Sequence, residues 1–250
     1  MADMESARNS TKLSSARKIL QMLLAFDEKR PEASVAELAK IVGVPLPTAY
    51  RHVALLKDMH LLEEGGVGKY HPTAKLLPIA RAAQVLNSVA TIASPIVADA
   101  ARNLGETVML MQQYGDVGVC IELAECDRPI RFTFDRGHTI PLGVGATGKV
   151  LLAMMPESDR AEHLLRLGDT GDLHRELAEV QANAYSISVA ELDDGVWACS
   201  VPVLSTHERA LALTAAGPVA RLNSHERQIA LVRLRIAAEQ LEERIRQFAL

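Results

Sequence analysis

Cysteine is scarce in this chain: three in 250 residues, Cys120, Cys126 and Cys199, with no paired spacing between them. A disulfide framework and a zinc ribbon are thereby excluded, and an odd number of thiols suits a reducing compartment. The eight histidines are scattered without ligand spacing, so neither a metal nor another cofactor is expected. No apolar run is long enough to cross a bilayer, and none follows a basic start, so a cytoplasmic protein with no membrane partner is expected. A strong charge of one sign is missing as well, the net being −4, which separates the chain from highly basic nucleic-acid binders. Internal repeats and low-complexity segments are also lacking.

What is present is 48% hydrophobic content, enough for substantial cores in two domains. Charge is unevenly placed. Residues 1–75 carry 11 basic and 9 acidic side chains out of 27 and 31 in the chain, so a slightly basic head precedes an acidic body.

The most informative stretch is Ser34–Leu56. Ser34 with Glu37 three residues on forms a capping box, Gly43 stops that helix, and a second helix begins near Pro45 or Pro47, where a first turn tolerates proline. In the second helix Ala49, Val53 and Leu56 share an inward stripe, whereas Pro47, Arg51, Ala54 and Asp58 project outward. That is a helix-turn-helix. The start of its second helix enters the major groove in the usual docking geometry, which selects Pro47, Thr48, Tyr50 and Arg51 as candidate DNA contacts. Leu61–Pro72 reads as two short strands around a glycine-rich turn, a wing with Lys69 and Tyr70 near its tip. An earlier helix has an apolar side formed by Leu13, Ala16, Ile19, Leu20, Leu23, Leu24 and Phe26. It leaves Arg8, Lys12, Arg17 and Lys18 for phosphates. Arg17, Ser34 and Lys69 complete the candidate DNA-contacting set, whose partner is an operator in double-stranded DNA.

Farther on, Thr73–Thr91 reads as a connecting helix that Pro78 bends or starts, and Ser94–Pro95 opens another helix closing at Gly105. Val108–Gln113 and Val117–Leu123 pair as a hairpin and Ile130–Phe134 supplies a third strand. Helices follow over 146–155, 157–167 and 173–183, then strands over 197–204 and 210–215 and a closing helix over 224–248. The fold class is α+β with a mainly antiparallel sheet. Domains are expected at 1–75, with a linker helix at 76–93 and a second domain at 94–250.

Gly143–Lys149 fits the phosphate-loop pattern except that Val150 stands where a magnesium-holding hydroxyl is needed. An ATP-dependent enzyme is the alternative this loop raises. A glycine-rich turn whose amides attract a carboxylate is the other reading. Asp193, Asp194, Glu122 and Glu125 come with no activated nucleophile or matched acid and base, so an enzyme is not expected. A constitutive winged-helix adaptor, with a distal domain that only dimerises, stays open.

With the helix-turn-helix, the wing, Gly105-Glu-Thr, Gly148-Lys149 and Ala216-Gly217-Pro218 in order, the chain resembles IclR-type transcriptional regulators nearly end to end. The resemblance implies a winged helix-turn-helix, a linker helix and a GAF-like effector domain with a six-stranded antiparallel sheet. It also implies homodimers or homotetramers on palindromic operators, controlled by a small organic acid. Position by position, Gly145, Ala146 and Thr147 align with the turn that faces the effector carboxylate, with Leu142 just ahead of it. Ser188 stands at a common aspartate, Glu191 at an acid, Ala198 or Cys199 near the usual cysteine, and Thr214 and Ala216 at two serines. Leu46 and Pro47 stand where lysine and serine are usual and Tyr50 where histidine is common, so operator preference should differ. Loss of polar groups, with Trp197, Met109 and Met111 adding apolar surface, points to an aromatic or similarly sized acid.

Overall fold

Capping sets the elements of the amino-terminal part. Helix α2 (Val35–Val42) starts at Ser34, whose hydroxyl accepts from the Glu37 amide at 3.3 Å while Glu37 Oε2 accepts from the Ser34 amide at 2.7 Å. Those bonds hold the exposed Glu37 carboxyl below its ordinary value, the backbone bond contributing most. The helix ends at Gly43, whose φ of +67° is the left-handed region that glycine occupies without strain. Lys18 from α1 (residues 15–23) then donates to the Val42 carbonyl at 2.7 Å, a cation at a helix carboxyl end. Lys18 is therefore a cap rather than the phosphate contact expected of it.

The computed structural model describes residues 15–27, 29–85, 88–168, 170–204, 209–221 and 223–248. Leu13, Arg8 and Lys12 lie outside them. The chain divides after Val85 into two compact units.

In the first unit, α3 (Leu46–Asp58) follows Pro45 with Pro47 in its first turn. Strands β2 (Leu62–Glu64) and β3 (Lys69–Pro72) make the wing, and β1 (Ala33–Ser34), which the sequence did not announce, pairs with β3. Met22, Leu38, Val53, Leu56 and Leu62 centre the core. Ala16, Leu20 and Leu24, placed on the apolar side of α1, are exposed instead, because Met22 is the residue that turns inward. Helix α4 (Leu77–Val85) closes the unit.

The second unit begins with α5 (Ser88–Leu104), so the expected linker over 76–93 is two helices, not one, and Thr91 belongs to the second. Pro95 does not start a helix but sits inside α5. Its missing amide and ring clash cost about 3 kcal/mol in a helix interior. The stripe Val89, Ala93, Val97, Ala100 and Ala101 runs unbroken past it, and its burial outweighs that cost.

Six strands form one antiparallel sheet in the order β6-β5-β4-β9-β8-β7. They are β4 (Thr107–Tyr114), β5 (Val117–Ala124), β6 (Thr139–Pro141), β7 (Ser186–Val189), β8 (Val196–Val203) and β9 (Leu211–Pro218). Helices α5 and α9 (Ser224–Phe248) cover one face, while α6 (Gly145–Ala153) packs on the other beside α7 (Glu157–Leu167) and α8 (Leu173–Asn183). Every residue of α6 is buried. Gly148 permits this, since a Cβ there would lie 2.3 Å from the Pro141 carbonyl oxygen.

Residues 130–134, expected as the third strand, are a loop, and β6 takes the edge position. The reason is visible in the carbonyls: Ile130 accepts from Arg221 at 3.0 Å and Phe132 from the Thr107 hydroxyl at 2.5 Å, so side chains replace a ladder. Arg221 also forks onto the buried Glu106 carboxylate at 2.7 and 2.6 Å, with Arg128 at 3.7 Å. A planar guanidinium suits this bidentate geometry, and lysine does not. Arg221→Ala should leave Glu106 buried against Arg128 alone and lower stability by about 3 kcal/mol. Urea unfolding measures this; a loss below about 0.5 kcal/mol would show the fork to be dispensable.

Candidate functional site

Each unit presents its own candidate surface. In the first, α3 buries Ala49, Val53 and Leu56 as its spacing requires, and this turns Leu46, Pro47, Tyr50, Arg51 and Ala54 to the outside. Tyr50 is 56% exposed and Thr48 is half-buried. Arg51 Nη2 reaches the Thr48 hydroxyl at 3.4 Å, so the two side chains present one polar edge at the second turn. Arg17 is exposed on α1.

Two expected contacts are engaged within the protein. The Ser34 hydroxyl is held by Glu37 in the cap, and the Lys69 ammonium pairs with Glu32, which raises its pKa. Lys57, absent from the sequence reading, stands 5.1 Å from the Tyr70 ring centre and 3.5 Å from Glu64, bracing the wing against α3.

His52 was also missed. It shares the inward face of α3, is 6% exposed, and reaches the Ser15 hydroxyl through Nε2 at 3.4 Å, while Nδ1 has no partner among the described residues. Burial, then the neighbouring Arg51, holds its pKa below the ordinary 6.5.

In the second unit, strand alternation decides which candidates meet. On the face under α6, the rows Ser186–Ser200–Thr214–Met109 and Ser188–Ala198–Ala216–Thr107 run side by side across four strands. Thr147 of α6 comes down on the first row: its hydroxyl lies 2.9 Å from that of Thr214, which donates to Ser200 at 2.9 Å. Met109, Met111, Leu142 and Ala216 belong to one buried apolar cluster on this face, against which Phe134 of the 130–134 loop also packs. Phe134 meets Phe132 in a tilted contact, ring centres 4.7 Å apart, and His138 edge-on at 4.8 Å.

The start of α6 stands beside these rows. The Gly145 amide donates to Glu191 Oε2 at 3.1 Å and the Ala146 amide to the Ser188 hydroxyl at 3.0 Å. Lys149, 7% exposed, donates to Glu191 at 2.9 and 3.0 Å and pairs with Glu176 of α8 at 3.1 Å. Burial works against its charge, yet the bonds to Glu191 and Glu176 outweigh burial and raise its pKa. Lys149 is thus bound to two glutamates rather than open to a nucleotide phosphate. Glu176 and Ser200 were not singled out by sequence, and Lys149 only as the lysine of the phosphate-loop pattern; strand alternation from Ala198 is the signal that could have found Ser200.

Trp197 and Cys199, expected at the effector, do not join the others. They point through the sheet into the cluster under α5 and α9, because successive strand residues face opposite ways. Ala198 is the residue of that stretch that faces α6. Burial pushes the Cys199 and Cys120 thiols up to about 12, so neither is a thiolate nucleophile near neutrality. Among the described residues no cluster has metal-ligand composition and no single helix is long and apolar enough to cross a membrane. On the α5–α9 side a cleft of about 580 Å³ is lined by Ile92, Pro95, Arg244, Ile245 and Phe248 with Ser88 and Thr91.

Residues 82–243 match the family described as bacterial transcriptional regulator IclR C-terminal, and residues 14–65 match a helix-turn-helix domain. The chain is 25% identical over 228 residues to the HTH-type transcriptional regulator KipR of Bacillus subtilis, covering 86% of this chain and 91% of the relative. It is 26% identical over 238 residues to the probable transcriptional regulator SauR of Cupriavidus necator, covering 90% and 93%. Among solved structures, an IclR family regulator from Brucella abortus superposes with a TM-score of 0.81 at 21% identity, covering 92% and 91%. An IclR homolog from Microbacterium hydrocarbonoxydans, complexed with 4-hydroxybenzoate, superposes with a TM-score of 0.64 at 20% identity, covering 94% and 99%.

The His52 geometry sets a pH dependence for the first unit. Its folded pKa is lowered, so it contributes stability that is present above the unfolded value of 6.5 and lost as pH falls through the lower folded value. Hydrogen exchange across α3 should therefore accelerate from pH 7.5 to pH 5.5, corrected for intrinsic rates, and His52→Leu should remove most of that change. An equal acceleration in the variant would assign the sensitivity elsewhere.

Proposed function

Because the chain belongs to the IclR family of bacterial transcriptional regulators, and is a DNA-binding regulator rather than an enzyme, we propose that a small organic acid bound in its second unit controls operator binding. The acid is aromatic or of similar size. Its carboxylate faces the amides of Gly145, Ala146 and Thr147, and its body lies over Ala198, Ala216 and Met109. The observation that carries this reading is the start of α6 beside a strip of hydroxyls on an apolar floor, with Ser188 and Thr214 as the polar groups that orient the ligand. Helix amino ends favour anions, and an apolar floor contributes about 25 cal/mol per Å² of ligand surface removed from water. A neighbour of the same fold that holds 4-hydroxybenzoate supports a ligand of this class.

Pro47, Thr48, Tyr50 and Arg51 read the major groove, and Arg17 meets phosphate. The working species is a homo-oligomer, dimer or tetramer, in the cytoplasm. Half-sites about 34 Å apart make head spacing the controlled quantity, and the acid shifts it only through unequal affinity for two arrangements.

Two measurements test the reading. Arg51→Ala should weaken or relax operator binding by about 1 to 3 kcal/mol in a mobility-shift titration while leaving acid binding unchanged; normal operator affinity would remove α3 from the groove. Across a series of aromatic and aliphatic acids, at least one should raise the melting temperature, by about 2.7 kcal/mol of stabilisation at a hundredfold excess over its Kd, and alter operator affinity. Thermal shift is the suitable readout, since Trp197 faces away from α6. If no acid changes either quantity, the second unit serves oligomerisation and the protein binds DNA constitutively.

A further inference from the structure

The place assigned to the effector's carboxylate already holds one. Glu191 Oε2 accepts from the Gly145 amide at 3.1 Å, and the same carboxylate accepts from Lys149 at 2.9 and 3.0 Å. Ser188 occupies the next amide, that of Ala146. We propose that Glu191 is a built-in competitor: an organic acid binds at α6 only by unseating this carboxylate, and so releases the turn between β7 and β8. The inference rests on the effector reading above and concerns the regulation of that same site.

Charge decides against simple addition. Among the described residues Lys149 is the single ammonium in contact with this cluster, and it already faces two carboxylates, Glu191 and Glu176. A ligand acid added beside them would place three negative groups around one buried cation, which like-charge repulsion disfavours. Exchange of one carboxylate for another keeps the balance. The amino end of α6 likewise offers its first amide to one anion at a time.

Glu191 is placed to leave where Glu176 is not. It sits in the short turn 190–195, whose Ala190 has φ +54°, a left-handed conformation that a residue with a Cβ adopts only under constraint. The turn is closed by the Ala190 amide bonding to the Val196 carbonyl at 2.8 Å. The next side chain, Leu192, lies against Gly145, its Cδ1 2.8 Å from where a Cβ would project. Glu191 and Leu192 thus cover the amino end of α6 together, while a third of the Glu191 side chain stays open to water. Glu176, whose side chain is at least as open to water, differs in being carried on the regular helix α8.

A tethered competitor acts like a ligand at an effective concentration of about millimolar. If Glu191 is seated nine-tenths of the time, apparent acid affinity falls about tenfold, because only the unseated fraction is competent to bind. The device sets a threshold below which metabolic traces of an acid do not occupy the site.

The test is calorimetric titration of the full chain with benzoate and 4-hydroxybenzoate, using benzamide as the uncharged control, in wild type, Glu191→Gln and Ser188→Ala. Glu191→Gln keeps shape and acceptor but gives up the charge. It should bind benzoate at least about tenfold more tightly and benzamide no differently, whereas Ser188→Ala should not tighten benzoate. In wild type, benzoate should also accelerate hydrogen exchange over residues 190–195. Weaker or unchanged benzoate binding in Glu191→Gln, or a turn that benzoate protects, would overturn the competitor while leaving an acid-binding regulator intact. If no acid binds any of the three proteins, the effector reading falls and takes this inference with it.

Discussion

A lysine ammonium removed from water stays charged only where carboxylates hold it, and the second unit is arranged around that constraint at Lys149. Removing a lone charge from water costs several kcal/mol, which only close, hydrogen-bonded partners offset. Glu176 arrives from α8 and Glu191 from the turn between β7 and β8, so one cation ties α6 to two elements that are distant in sequence. The same tie fixes the height of α6 over the sheet, and with it the contact between Thr147 and the hydroxyl pair Thr214–Ser200. The ammonium and these three hydroxyls are tolerated in the interior because each finds a partner. The start of α6 is thereby presented in a fixed place beside the ligand floor.

In the first unit the governing effects are shorter in range. The reciprocal bonds of Ser34 and Glu37, the left-handed Gly43 and the prolines at the start of α3 fix where two helices begin and end, and Lys18 adds a cap from α1. Once those boundaries are set, burial of Ala49, Val53 and Leu56 leaves α3 no freedom about which residues face outward. The exposed set around Thr48 and Arg51 follows from the core, not from any attraction between its own members.

Much of this was legible in the residues. The caps, the helix-turn-helix, the wing, the β4–β5 hairpin and the bounds of α7, α8 and α9 are all written in local pattern. Legibility failed where a long-range interaction overrode a local preference. Pro95 signals a helix start, but the apolar stripe on both sides of it packs under the sheet and carries the helix through. Residues 130–134 have strand composition, but Arg221 and Thr107 take up their carbonyls. Trp197 and Cys199 sit in the right strand and on the wrong face, since a shift of one residue reverses every side chain.

The sequence by itself determined the two helices of the helix-turn-helix and the wing, the α+β class, and that Gly145, Ala146 and Thr147 would begin a helix at a glycine-rich turn, because capping, periodicity and turn chemistry act within a few residues. The tertiary structure alone decided which strand face meets α6, that Lys149 belongs to Glu176 and Glu191 rather than to a phosphate, and that the first α6 amide already carries a carboxylate. Those outcomes depend on groups some 27 to 46 positions apart in the chain. Their meeting is set by how the whole sheet and its helices exclude water, which no local pattern encodes.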